Sequence, residues 1–385
     1  MSTVGKPAML SRKNSSSASS RKKAVAASVH LPVRQAILDR RTYEAPAEGR
    51  AGKIRLDFNE NTTGCSPAVR KSLAGISAKT LAMYPEYLRR TKSIARRLGV
   101  RPEELLLANG GDDALRVFFD TFVDSGATVL ICEPTFPMYR YYAEIAGAKI
   151  ATLRYDADMN FPLDNALAAL KKKPRVLFIA NPNNPTGTLI SREAICAIVR
   201  AATHTAVVID EAYAEFSGFT VVPCTRKFPN LFVVRTFSKA AGLAALRLGA
   251  VIAHRDSLQF VRRAMPPYPV NVAALIAAEA ALKNRATIQK YVRETLRIRH
   301  IFAAELSNFG VRVFPSAGNF LLADFGPNGP ALFAGLARSG ILVRERSKEI
   351  APGFVRISIG RASEMAAVLK AIRNFAKKAA IKNFS

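Results

Sequence analysis

The chain has 385 residues, 49% hydrophobic and 22% charged, enough for one large domain plus a smaller one with real cores. It contains no run of about 18 uncharged apolar residues, and its four cysteines and four histidines lack C-x-x-C or H-E-x-x-H spacing. A membrane-spanning helix and a zinc site are therefore disfavoured, and the cysteine usage is that of a reduced, cytoplasmic protein.

Residues 1–38 hold seven Lys or Arg and no acid, so of the net charge of +28 the rest of the chain still carries +21. A field of that sign attracts anions. No zinc-finger pattern or RNA-binding aromatic signature accompanies it, so no specific nucleic-acid partner is expected. Residues 1–50 read as a basic, disordered extension with the run NSSSASSRKK. Its Arg- and Ser-rich, acid-free composition also resembles an organellar transit peptide.

From about residue 77 to 252 strand-like runs alternate with helical ones. ELLLAN (104–109) precedes a helical pattern starting at Asp112, and ATVLICE (127–133) precedes FPMYRYYAEIAG. RVLFIAN (175–181), TAVVIDE (205–211), NLFVVRTFS (230–238) and RLGAVIA (247–253) come next. Buried apolar strands separated by helices predict an α/β fold with a mostly parallel sheet. After residue 271 long helical stretches lead to the short strands VRVF, FLLADF, ILVRE and FVRISIG, a smaller α+β domain. The expected division is 51–76 as an N-terminal segment packing with the small domain, 77–270 as the large domain and 271–385 as the small one.

Ligands of parallel sheets gather at the carboxyl ends of the strands. That rule brings Gly110–Asp113, Asn181–Gly187, Asp210–Tyr213 and Ser238–Lys239 into one crevice. Lys239 is one of 57 Lys and Arg, and a lone lysine is ordinarily a solvated one. This one follows a strand end, behind Ser238 and eight residues before Arg247, among small residues. A buried or cation-flanked lysine has a lowered pKa and becomes an amine nucleophile toward an aldehyde. The aldehyde cofactor with a phosphate handle is pyridoxal 5′-phosphate. It requires a carboxylate at its ring nitrogen, for which Asp210 is the candidate. Its ring oxygen requires donors, which Tyr213 and Asn184 supply. Its phosphate requires an anion site. The helix start in ANGGDDALRVFF has free amides for that purpose, with Ser238 and Arg247 beside it. Phe136, otherwise a core residue, is placed to stack on the ring.

SKAAGLAALRLG (238–249), NPNNPTG (181–187) and VVIDEAY (207–213) together resemble the fold-type I, pyridoxal-phosphate-dependent aminotransferases, over about residues 50–376. LDFNENTTG (56–64), MYPEY (83–87), ILVRERS (341–347) and VRISIG (355–360) are most similar to the histidinol-phosphate aminotransferase group. The resemblance implies that Lys239 carries the cofactor, Asp210 pairs with its ring nitrogen, and Asn184 and Tyr213 hold the ring oxygen. It assigns Gly111, Asp112, Ser238 and Arg247 to the phosphate. Tyr84 would reach the phosphate of a partner subunit, which implies a homodimer. Arg356, with Arg344 beside it, would bind the acidic group of the substrate, aided by Asn184. No metal is implied. The expected reaction takes an amine donor and a 2-oxo acid acceptor, histidinol phosphate and 2-oxoglutarate, to imidazole-acetol phosphate and glutamate. The alternatives are an aminotransferase for aromatic or other amino acids, or a decarboxylase of a phosphorylated amino acid. Thr62 and Thr63 stand where the group commonly has Pro and a bulky residue, and GGDD replaces G-x-D-E, so the substrate is the least constrained expectation.

Overall fold

The computed structural model describes residues 32–38, 40, 48–379 and 384. Most of the basic extension lies outside these residues. Within the unit Met1–Thr42 the described secondary structure is one short helix, Gln35–Leu38. The sheets, cores and cavities all belong to the unit Tyr43–Ser385.

The strands in chain order are β1 (Ile54–Arg55), β2 (Leu105–Ala108), β3 (Thr128–Glu133), β4 (Lys149–Arg154), β5 (Val176–Ala180), β6 (Ala206–Asp210), β7 (Leu231–Thr236), β8 (Gly249–Ala253), β9 (Arg312–Val313), β10 (Phe320–Asp324), β11 (Ile341–Leu342), β12 (Arg344–Glu345) and β13 (Phe354–Ser358). Seven of them form the central sheet in the order β2-β8-β7-β6-β5-β3-β4. β8 runs antiparallel to both its neighbours, and the other pairs are parallel. The mostly parallel α/β sheet expected from the sequence is thus the architecture.

Except at the edge strand β4, which is only partly buried, both faces of this sheet are buried, which is why the other strands read as apolar runs. Side chains alternate between faces. Leu105 and Leu107 enter one core with Val207 and Ile209, while Leu106 and Ala108 enter the other with Val208 and Phe178.

A second, four-stranded antiparallel sheet, β12-β13-β10-β9, is covered by the helices Arg285–Asn308, Gly329–Arg338 and Ala362–Lys378. β1 pairs in parallel with β11, and Leu56 is fully buried in this smaller core. The change of pattern read at residue 271 precedes the change in packing. Helix Val272–Lys283 buries Leu275, Ala277 and Ala281 with Val69, Ile94 and Ala95, in the core that backs the central sheet. Apart from Glu279 and Lys283 that helix is apolar, so its sequence carries no sign of which core it joins.

Candidate active site

The carboxyl ends of β2, β5, β6 and β7 open into one cavity of about 360 Å³. Its walls carry Gly111, Asp112, Phe136, Asn184, Asp210, Tyr213, Ser238, Lys239, Arg247 and Arg356, ten of the twelve residues singled out from the sequence.

Lys239 is half-buried. Its Nζ donates to the backbone oxygen of Phe58 at 2.8 Å. Burial, and next the Arg356 charge, push its pKa down to about 8, against the attraction of Asp112 and Glu60. The small residues around it have a steric cause. Gly242 sits at φ +69°, and a Cβ there would come within 2.9 Å of the Gly64 oxygen. The turn after Lys239 therefore lies directly against the N-terminal segment.

Asp210 ends β6, buried and facing the cavity. Tyr139 Oη donates to its Oδ2 at 2.8 Å, and the Ala212 amide donates to its Oδ1 at 3.0 Å. Burial outweighs these donors and raises the carboxyl to about 6. A charge paired against this carboxylate from the cavity would offset the desolvation cost. Tyr139 is missed by the sequence reading. It lies one helical turn beyond Phe136, stacked on Phe178 at 5.2 Å, and its F-x-x-Y spacing is the available signal.

At the end of β2, helix Gly110–Phe122 points its free amides into the cavity. Asp112, in its first turn, accepts from Arg247 Nη2 at 2.9 Å. The guanidinium neutralises Asp112, the acid of that first turn that lines the cavity. Gly110 sits at φ +88°, a left-handed backbone that favours glycine, and a Cβ there would also meet that guanidinium at 2.6 Å. Thr236, a second residue missed from the sequence, donates from Oγ1 to Ser238 Oγ at 3.0 Å and holds that hydroxyl at the cavity wall.

Arg356, on β13, is buried and is pressed below the usual arginine range by burial and by its cationic neighbours Arg346 and Arg344. Its Nη1 donates to Asn184 Oδ1 at 2.5 Å, and its Nη2 donates to the Asp57 backbone oxygen. It is a forked cation on the cavity wall, suited to an acidic group.

Two expected residues stand elsewhere. Arg344 lies opposite Arg356 across β12 and β13, yet it lines a neighbouring cavity with Asp57, Lys53 and Glu349. The buried arginine of that segment is Arg346, two positions on, whose Nη1 donates to Glu349 at 3.1 Å. Tyr84 is 81% exposed, outside the cavity, and stacks on Tyr268 at 4.7 Å.

The groups fit a flat pyridine with an aldehyde and a phosphate. Lys239 would hold the aldehyde carbon through its amine, Asp210 would pair with the ring nitrogen, and the helix amides with Ser238 and Arg247 would hold the phosphate. Among the described residues no cluster of His, Cys, Asp and Glu could hold a metal.

Comparison with known proteins agrees with this geometry. The family model for aminotransferase class I and II matches residues 51–372. A histidinol-phosphate aminotransferase of Anoxybacillus flavithermus is 36% identical over 332 residues, 84% of this chain and 89% of that protein. The crystal structure of histidinol-phosphate aminotransferase from Sinorhizobium meliloti in complex with pyridoxal-5′-phosphate superposes with a TM-score of 0.83 at 26% identity, covering 91% of this chain and all of that one. L-threonine-O-3-phosphate decarboxylase from Porphyromonas gingivalis superposes with a TM-score of 0.74 at 25% identity, covering 84% of this chain and 99% of that one. From its strand-end residues to these likenesses, the chain belongs to the class I and II aminotransferases.

Proposed function

We propose that the protein is a pyridoxal-phosphate-dependent aminotransferase that exchanges the amine of histidinol phosphate for the oxo group of 2-oxoglutarate. The observation that carries the reading is the meeting of a lowered-pKa lysine amine with the buried guanidinium of Arg356 in one cavity. Relatives at about 35% identity are named for this reaction, which supports the choice of substrate.

When bound, the cofactor supplies an electron sink for negative charge at the substrate carbon. Each side chain then has a stated task. Lys239 Nζ would take the proton from the carbon that bears the amine, as base, and deliver it, as acid, to the carbon that had been the cofactor's aldehyde carbon. Asp210 keeps the ring nitrogen protonated, and Tyr139 and the Ala212 amide hold its carboxylate in place. Asn184 and Tyr213 would hold the ring oxygen, and Phe136 would lie against the ring. Gly111, Asp112, Ser238 and Arg247 would hold the phosphate. Arg356 binds the phosphomonoester of the donor and the carboxylate of the acceptor in turn, since one planar fork serves either anion. Arg344 and Arg346 add positive potential behind it.

A homodimer and a cytoplasmic location belong to the same proposal. Leu81, Met83, Tyr84 and Leu88 are exposed apolar residues, with exposed Tyr268 stacked on Tyr84, a surface suited to a second copy. No described helix is long and apolar enough to cross a membrane, and all four cysteines are free.

The test is a half-reaction screen. The cofactor-loaded protein is mixed with histidinol phosphate, phenylalanine, tyrosine, aspartate or phosphothreonine, and the cofactor absorbance is followed. Histidinol phosphate is expected to discharge it fastest. Arg356→Lys should raise the KM for histidinol phosphate roughly 10- to 100-fold, because the bidentate geometry is lost. Rapid discharge by phenylalanine or aspartate alone would reject this substrate while keeping the reaction class. Carbon dioxide released from phosphothreonine without use of a 2-oxo acid would indicate a decarboxylase.

A further inference from the structure

Three consecutive residues after β1 touch three different groups of the cavity. The Asp57 oxygen accepts from Arg356, the Phe58 oxygen accepts from Lys239, and Asn59 Nδ2 donates to Tyr213 Oη at 2.9 Å. Asn59 is 1% exposed and sits at φ +54°, a left-handed conformation that asparagine tolerates better than most residues.

The hydrogen bonds around Asn59 form one consistent set of proton directions. Its backbone N–H can only donate, and it does so to Ser358 Oγ at 2.9 Å. The Ser358 hydroxyl, having accepted, donates its own hydrogen to Asn59 Oδ1 at 2.7 Å. Oδ1 is thereby the acceptor end of the amide, and Nδ2 is the donor end that meets Tyr213. The Asn59 backbone oxygen accepts in turn from Asn319 Nδ2 at 3.1 Å. Tyr213 Oη accepts from Asn59, so its single hydrogen must point elsewhere. The remaining direction is the cavity that Tyr213 lines.

We propose that Asn59 is a positioning residue for Tyr213, locked by Ser358, which turns the phenol hydrogen toward the ligand in the cavity. The inference rests on the reading of the cavity as the cofactor site. Asn59 makes the tyrosine a donor to the ligand; an acceptor in its place would make it a donor to the wrong partner. The role differs from packing because it depends on the sign of the hydrogen bond and not on the volume filled.

Asn59→Gly and Asn59→Asp are the informative variants, since both residue types accept a left-handed backbone. Gly removes the bond, whereas Asp draws the Tyr213 hydrogen onto its own carboxylate. Each is made with Tyr213 intact and in a Tyr213→Phe background. Affinity for pyridoxal 5′-phosphate is measured by spectroscopic titration, and kcat and KM are measured separately. With Tyr213 present, Asp is expected to lower affinity and kcat about 10- to 100-fold and Gly less. In the Tyr213→Phe background neither should matter beyond about twofold, because the coupled partner is gone. Ser358→Ala removes both the acceptor of the Asn59 N–H and the donor to its Oδ1, so the part of its loss that acts through the amide orientation should disappear with Tyr213→Phe. Losses that persist undiminished in the Tyr213→Phe background, or Asp no worse than Gly, would overturn the proposal. A wild-type protein that does not bind pyridoxal 5′-phosphate would instead overturn the reading of the cavity.

Discussion

Lys239→Ala is expected to lower turnover by about 10⁴-fold or more, because the same Nζ both holds the cofactor and moves the proton. The fold should survive. Lys239 is half-buried, and its one hydrogen bond runs to the Phe58 oxygen, which borders the cavity. Loss of activity with an unchanged unfolding curve would place the effect in chemistry. The amine also gives a pH signature in the cofactor-free protein. Only a neutral amine attacks an aldehyde, and burial beside Arg356 brings Lys239 from 10.5 down to about 8. The rate of cofactor capture should therefore rise as pH increases through about 8 and level off well below the ordinary lysine range. Retained transamination in Lys239→Ala, above the level set by free pyridoxal phosphate, would remove Lys239 from its role.

Asp210→Asn has the second largest expected effect, in opposite directions on activity and stability. Activity should fall about 10²- to 10³-fold, since a neutral amide does not hold a proton on the ring nitrogen by charge. The cofactor-free protein, in contrast, should become more stable at pH 8. The folded carboxyl is raised to about 6 by burial, from a reference near about 3.9. Above pH 6 wild type is ionised both folded and unfolded, and it bears the desolvation cost in full, on the order of 2–3 kcal/mol. As pH falls through about 6 the folded protein takes up the proton first, so the gap between wild type and variant narrows. Below about 4 both states are protonated and the gap closes. Tyr139 can keep its bond in the variant, since a hydroxyl rotates to donate or accept. Denaturant unfolding of the two cofactor-free proteins from pH 4 to pH 8 checks this. A variant less stable than wild type at pH 8 would contradict the assigned cause.

Six of the seven strands of the central sheet were legible as apolar runs, and the crevice as the polar and glycine residues that follow four of them, whereas the edge strand β4, KIATLR, is only partly buried and shows no such run. Asp210, Asn184 and Lys239 stand together for the reason that rule supplies, namely that they end parallel neighbours of one sheet. What escaped has physical reasons. Tyr139 stacks in the core and bonds Asp210 with its hydroxyl, and an aromatic on a helix looks the same in sequence whether or not its tip has a partner. Arg344 and Arg346 are two residues apart, which a period of two would place on the same face, and the strand ends between them at Glu345, so the spacing does not say which arginine is buried. Asn59 gains its role from Tyr213 and Ser358, 154 and 299 residues away, contacts that no local pattern reports. The strand carrying Arg356 was readable as a strand, but only the folded chain brings it to Asn184.

The most direct measurement is to load the protein with pyridoxal 5′-phosphate, reduce it with borohydride, digest it and locate the cofactor by peptide mass. The expected result is cofactor mass on the peptide containing Lys239 and on no other lysine, in stoichiometric yield. Unmodified Lys239 after full reduction, or attachment at a different lysine, would contradict the account.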